Sequence, residues 1–180
     1  DFARHALDEI ARQYVQQNVA RTSEEAAKSL QFLREQLPQV RQELDRATTA
    51  LNQYQVSSKS VDIGSETKGV LDQVVKLEGN ISDLSLKQAE MDKRFTPEHP
   101  AYQTLIRQLS ELRSKKKELE QKVADLPETQ QELFRLTRDV QVATEIYTTM
   151  MDKSQELDIM RAGVTGNARI IDFAEVDASS

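Results

Sequence analysis

Residues 30–54 read Leu30-Gln31-Phe32-Leu33-Arg34-Glu35-Gln36-Leu37-Pro38-Gln39-Val40-Arg41-Gln42-Glu43-Leu44-Asp45-Arg46-Ala47-Thr48-Thr49-Ala50-Leu51-Asn52-Gln53-Tyr54. Within them Leu30, Leu33, Leu37, Val40, Leu44, Ala47, Leu51 and Tyr54 recur at alternating steps of three and four. A repeat averaging about 3.5 residues aligns these side chains along one narrow seam of a helix, and such a seam needs another helix to cover it. The same spacing returns three times. It appears as Val70, Val74, Leu77, Ile81 and Leu84, as Tyr102, Leu105, Leu109 and Leu112, and as Leu133, Leu136, Val140, Ala143, Tyr147 and Met150. Leu30, Leu33, Leu37, Leu44, Leu109, Leu112, Leu133 and Leu136 are the seam positions on which the fold should depend most. The pattern predicts a mainly α protein, an elongated antiparallel bundle or coiled coil of about four long helices.

Breaks in the pattern divide the chain. A first helix is predicted over about residues 2–55, roughly 80 Å of rod. Its early residues Leu7, Ile10, Tyr14 and Val15 form a broader stripe, as if to meet a globular base. Pro38 removes one backbone donor inside the seam and predicts a kink near residues 35–37. Ser57 to Ser65, rich in small polar residues and Gly, reads as a loop, with Ser65 as the cap of a second helix over 66–94. Gly69 and Gly79 weaken that helix by about 1 kcal/mol each relative to Ala. The stretch Phe95-Thr96-Pro97-Glu98-His99-Pro100-Ala101-Tyr102 is the clearest turn, because residues before Pro leave the α region and Pro100 suits a first helical position. Phe95, Pro97, His99, Pro100 and Tyr102 are its structural residues. A third helix follows over 100–125 and a fourth over 128–161; Pro127 between them is compatible with a reversal or with a kinked continuation. Residues 1–162 thus form the helical bundle, and residues 163–180 a turn and a terminal strand.

That strand is predicted from the β-branched and aromatic content of residues 167–176. Gly166, Asn167, Arg169, Ile170, Ile171 and Asp172 would form it. No other segment supplies a ladder partner, so the partner strands would have to come from outside these residues, and the chain reads as a piece of a larger protein.

The 180 residues carry 38% hydrophobic and 30% charged residues, five Phe, four Tyr and no Trp, which fits thin seams with solvated flanks. A net charge of −6 and a pI near 5.1 argue against nucleic acid as a partner. No apolar run is long enough to cross a bilayer and no signal-peptide pattern opens the chain. Catalytic constellations are not found. There is no Cys, the two histidines His5 and His99 lack metal-ligand spacing, and no Gly-rich phosphate loop occurs. His99 reads as a cap. Arg113-Ser114-Lys115-Lys116-Lys117, continued by Lys122, is one locally basic stretch that could touch an anionic polymer. Glu111, Glu118 and Glu120 around it favour a solvated helix face with ion pairs. No catalytic, cofactor or metal site is expected here. Met150, Met151 and Met160 read as seam or base contacts.

Several motifs, in order, resemble one family. They are Ser23-Glu24-Glu25-Ala26, Phe32-Leu33-x-x-Gln36-Leu37-Pro38, Phe95-x-x-x-His99-Pro100-x-Tyr102 and Leu126-Pro127-x-Thr129-Gln130-Gln131-Glu132-x-x-Arg135-Leu136-x-Arg138-Asp139. Gly166-Asn167-Ala168-Arg169 closes the series and is similar to a Gly-Asn-Val-Arg element, with Ala168 in place of Val. Together they resemble bacterial polysaccharide co-polymerases of the chain-length determinant family, best the Wzc-type members that carry a tyrosine autokinase. The resemblance implies a periplasm-facing part of an inner-membrane protein anchored by spanning helices. It further implies a homo-oligomeric, octamer-like ring, and control of the synthesis, chain length and export of capsular polysaccharide or exopolysaccharide. The implied partners are a polysaccharide polymerase, an outer-membrane polysaccharide export protein and the polysaccharide itself. ATP and Mg would belong to a kinase domain outside these residues. The alternative is a coiled-coil hairpin of a periplasmic adaptor in a secretion or efflux assembly, which also needs long heptad helices but brackets one hairpin with β-rich domains.

Overall fold

The computed structural model describes residues 1–58 and 62–179. Four helices account for most of them: α1 (Phe2–Ser58), α2 (Ser65–Asp92), α3 (Pro100–Gln121) and α4 (Glu128–Ser179). No strand occurs among the described residues. The mainly α bundle read from the seams is therefore the architecture. The chain falls into two compact units, Asp1–Gln36 with Met150–Ser180, and Leu37–Thr149. The division of α1 falls beside Pro38, and the helix is assigned without interruption across it.

The unit Leu37–Thr149 contains most of the core. Leu71, Val74, Val123 and Phe134 are buried together, with Ile63, Val70, Val75, Leu119 and Leu126 packed around them. Leu105, Leu109, Leu133, Leu136 and Ala143 are also buried, while Leu37, Leu44 and Leu112 are half-buried at its margins. A well-buried Leu or Phe contributes on the order of 1.5–3 kcal/mol, so these seams supply the unit's main stabilisation. Helices α1 and α4 run antiparallel here, since the Tyr54 hydroxyl donates to the Thr129 carbonyl at 3.1 Å and the Arg41 guanidinium lies 5.5 Å from the Tyr147 ring centre. Helices α2 and α3 pack against each other as a hairpin.

Pro127 marks a reversal. Helix α3 ends at Gln121, and short-range backbone bonds carry residues 122–126 through a tight turn. The Gln131 side-chain amide reaches back to the carbonyls of Ala124 and Leu126 at 2.6 and 2.8 Å, satisfying acceptors of the turn itself. Arg138 of α4 then meets Glu120 of α3 at 3.3 Å, a contact that a continuous rod would forbid. Helix α2 begins one residue earlier than expected: Gly64, with no side-chain cap, holds the N-cap position, and Ser65 is the first helical residue. Of the predicted first loop, Lys59, Ser60 and Val61 lie outside the described residues.

The second unit joins the start of α1 to the end of α4. Ala26, Leu30, Leu33 and Met150 are buried in it, and Arg34 pairs with Asp158 at 3.4 Å. Met151 is half-buried and Met160 is exposed. Here one expectation is corrected. Residues 163–179 continue α4 as helix, in place of the predicted turn and strand. The physical reason is hydrogen bonding. A helix pairs its own N–H and C=O groups within the segment, whereas a strand leaves them open unless a neighbour completes the ladder, and no described segment does so. Gly166, Asn167, Arg169, Ile170, Ile171 and Asp172 therefore sit in α4; Arg169 and Ile170 are exposed, and the side chains of Asn167, Ile171 and Asp172 lie outside the described residues. Gly163 and Gly166 face open space, so nothing nearby requires a residue without a side chain.

Candidate functional site

The α2–α3 hairpin presents the surface of greatest chemical interest, and its tip fixes how the two helices align. At the end of α2 the Arg94 and Phe95 N–H groups both donate to the Met91 carbonyl, at 2.9 and 2.8 Å. The chain turns through Thr96 and Pro97. His99 then caps α3, its Nδ1 accepting from the Ala101 N–H at 3.1 Å, with Pro100 at the first helical position where no backbone donor is needed. The Phe95 and His99 rings stack at 4.4 Å with a tilt of 37°. Across the hairpin the Gln88 amide donates to the Tyr102 hydroxyl at 3.2 Å. The residues read as the turn from sequence are thus gathered into one small structure, which has no metal-ligand geometry. No cluster of His, Asp or Glu among the described residues could hold a metal ion.

One side of the hairpin meets α4 through charge. Lys116 of α3 pairs with Glu78 of α2 and lies 3.8 Å from Glu120, which also receives Arg138 of α4 at 3.3 Å. Arg138 continues to Asp139 at 3.3 Å, and Arg135 bridges Asp139 and Glu132. The short hydrogen bond from Arg135 holds the Glu132 carboxyl below its ordinary pKa, and the same bond raises the Arg135 guanidinium. Glu145 of α4 lies over Gly79, where an added Cβ would sit 2.8 Å from its carboxylate oxygen. Gly79 thus allows this carboxylate to approach the α2 backbone closely.

A second surface of the hairpin is open and carries the opposite balance of charge. Helix α2 contributes Gln73, Lys76, Leu77 and Asn80 to a groove of about 420 Å³. Helix α3 contributes Lys115, Glu118, Leu119 and Lys122. Each set follows helical spacing along one face, which the antiparallel hairpin brings opposite the other. Leu77 and Leu119 are half-buried, and the polar and charged residues stand exposed around them. Three ammonium groups face one carboxylate. Among the described residues none of Lys76, Lys115 and Lys122 forms an ion pair or a side-chain hydrogen bond. Toward the turn a second depression of about 400 Å³ shares Asn80 and adds Asp83, Lys87, Gln108 and Glu111, a mixed set of charges.

The basic stretch read from the sequence therefore divides. Lys116 is consumed by ion pairs, while Lys115 and Lys122 line the groove. Lys76 escapes sequence reading because it stands alone on another helix, with only its hairpin alignment to connect it to the others. No helix among the described residues is long and apolar enough to cross a membrane.

Comparison with known proteins places this surface in context. Residues 128–180 match the GNVR family, described as "G-rich domain on putative tyrosine kinase". Over 174 residues, 97% of its length, the chain is 45% identical to the tyrosine-protein kinase Wzc of Salmonella typhimurium, of which it covers 24%. It is 40% identical over 168 residues to the tyrosine-protein kinase Etk of Escherichia coli K12, covering 93% of this chain and 23% of that one. A Klebsiella pneumoniae protein named "Putative tyrosine-protein kinase in cps region" is 39% identical over 171 residues, 95% of this chain and 24% of its own. The chain spans about a quarter of the length of these relatives. Over nearly its whole length the chain is thus similar to one region of Wzc-type tyrosine-protein kinases, the proteins its ordered motifs resemble.

Proposed function

We propose that this chain is the periplasm-facing helical part of a bacterial inner-membrane polysaccharide co-polymerase that governs the synthesis, chain length and export of capsular polysaccharide or exopolysaccharide. In this reading the whole protein assembles into a homo-oligomeric ring. It works beside a polysaccharide polymerase and an outer-membrane export protein, and its tyrosine kinase activity, with ATP and Mg, resides in a separate domain. The observation that carries the reading is the match, over 97% of this chain, to about a quarter of Salmonella typhimurium Wzc, together with the helices and absence of strands among the described residues. The relatives are named as kinases, yet the described residues hold the α2–α3 hairpin, an antiparallel α1–α4 pairing and a charged surface, an arrangement suited to mechanical and binding work. The name of the Klebsiella relative, with its cps region, points the same way.

Deleting residues 66–126 from the full-length, membrane-anchored protein tests it. The expected result is a changed polymer length distribution and a lower surface yield, with tyrosine autophosphorylation retained. Unchanged length and yield, at equal protein level in the membrane, would overturn the reading.

A further inference from the structure

We propose that the open groove of the α2–α3 hairpin is a binding site for an anionic polysaccharide, held through its acidic sugar units by Lys76, Lys115 and Lys122. The inference rests on the co-polymerase reading for its biological setting and on the groove for its chemistry. The three lysines come from two helices and converge on one depression in a protein whose net charge is −6. Lys116, one residue away from Lys115, has two carboxylates within ion-pair distance, whereas these three have none. Their ammonium groups are available to carboxylates from outside.

The rest of the lining selects among polyanions. Gln73 and Asn80 offer amide donors and acceptors on the α2 side, which suit hydroxyl groups spaced along a sugar chain. The apolar floor amounts to Leu77 and Leu119. A docking helix needs a continuous apolar strip to bury, and two half-buried leucines flanked by charge do not provide one. An acidic protein helix is therefore the poorer occupant. The volume of about 420 Å³ continues at Asn80 into the next depression of about 400 Å³. The site is a lane open toward the turn, with room for a chain of several sugars. Its cationic end lies away from the turn, and the mixed charges of Asp83, Lys87 and Glu111 give the other end little net attraction.

Isothermal titration of the 180-residue chain with a uronic-acid oligomer, oligogalacturonate, tests the proposal, with maltoheptaose and polyglutamate as comparison probes. The expected result is binding of oligogalacturonate that weakens as salt rises, with clearly weaker binding of the other two. Replacing all three lysines by Gln should lower the affinity about tenfold or more, since exposed charge pairs contribute modestly and three are removed. Replacing them by Arg should restore most of it, and Lys116→Gln should leave it nearly unchanged. Circular dichroism should show the same helicity for all variants, because the side chains are exposed. Absence of oligogalacturonate binding, or equal binding of polyglutamate, would overturn the proposal. So would a triple Gln variant that binds as tightly as the parent chain. The deletion of residues 66–126 separates the two levels. If it alters polymer length while the lysine variants change no binding, the groove assignment fails and the co-polymerase reading stands. If the groove binds as expected while the deletion leaves the polymer unchanged, the co-polymerase reading fails.

Discussion

The two compact units are made from the same helices and differ in how far their apolar residues are covered. In Leu37–Thr149 parts of all four helices contribute, and leucines such as Leu71, Leu105, Leu109 and Leu133 are almost wholly buried. In the unit that pairs the start of α1 with the end of α4, burial reaches Ala26, Leu30, Leu33 and Met150, while large apolar side chains stay open. Phe2 is 88% exposed, Ile10 64%, Ile159 73% and Ile170 66%. The difference follows from geometry. Two helices can close one seam between them, but a broader stripe needs a third element. The first unit uses its apolar residues to hold itself together, and the second keeps many of them at its surface.

The comparison breaks most visibly under buried charge. Leu109→Asp or Leu136→Asp places a carboxylate among the buried side chains of the Leu37–Thr149 unit and should lower stability by more than about 3 kcal/mol, enough to melt that unit in thermal circular dichroism. Ile10→Asp, on the open stripe of the other unit, should change the melt by less than about 0.5 kcal/mol. A similar loss at both sites would erase the distinction between covered and open stripes.

The glycines sharpen the comparison at a smaller scale. Gly69 sits inside α2 with open space around it, so Gly69→Ala should stabilise by up to about 1 kcal/mol. Gly79→Ala should gain less than Gly69→Ala, because its Cβ meets the Glu145 carboxylate, which must swing away. Gly163→Ala, in the open part of α4, should resemble Gly69→Ala in helix content without raising the melting point of the four-helix unit. Denaturant unfolding of the three variants measures this order.

The smallest effect concerns pH. Glu132 has its folded-state pKa lowered by Arg135, so its ionised form favours the folded state. That contribution is present above the ordinary value of 4.5 and is lost as pH falls through the lowered folded value. Both side chains are largely exposed, at 38% and 51%, which limits the effect to a few tenths of a kcal/mol. Arg135→Gln should remove it, seen as a slightly flatter dependence of melting temperature on pH below 4.5. An unchanged profile would mean that solvent screens the pair completely.

Much of this organisation is legible in the sequence because seam spacing and Pro placement are local signals. Helices expected over 2–55, 66–94, 100–125 and 128–161 occur as Phe2–Ser58, Ser65–Asp92, Pro100–Gln121 and Glu128–Ser179. The end of α3 is early because residues 122–126 serve the reversal before Pro127. The end of α4 is the larger departure. Ile170, Ile171 and Val176 favour strand by side-chain shape, but propensity does not supply a ladder partner, and backbone pairing decides. The candidate site is half legible. Lys115 and Lys122 are visible as a charge run, whereas Lys76 joins them only once the Phe95–Tyr102 turn aligns the two helices. The partition between free and consumed lysines depends on Glu78 across the hairpin and Glu120 one turn along, and single-sequence periodicity does not report it.

Hydrogen–deuterium exchange of the 180-residue chain, read by mass spectrometry, tests most directly whether one unit is sealed and the other open. The account predicts slow exchange across residues 70–77, 105–112 and 133–143, and fast exchange across 2–15 and 163–179. Uniform protection along all four helices, or faster exchange in the α2–α3 hairpin than at the ends of α1 and α4, would contradict it.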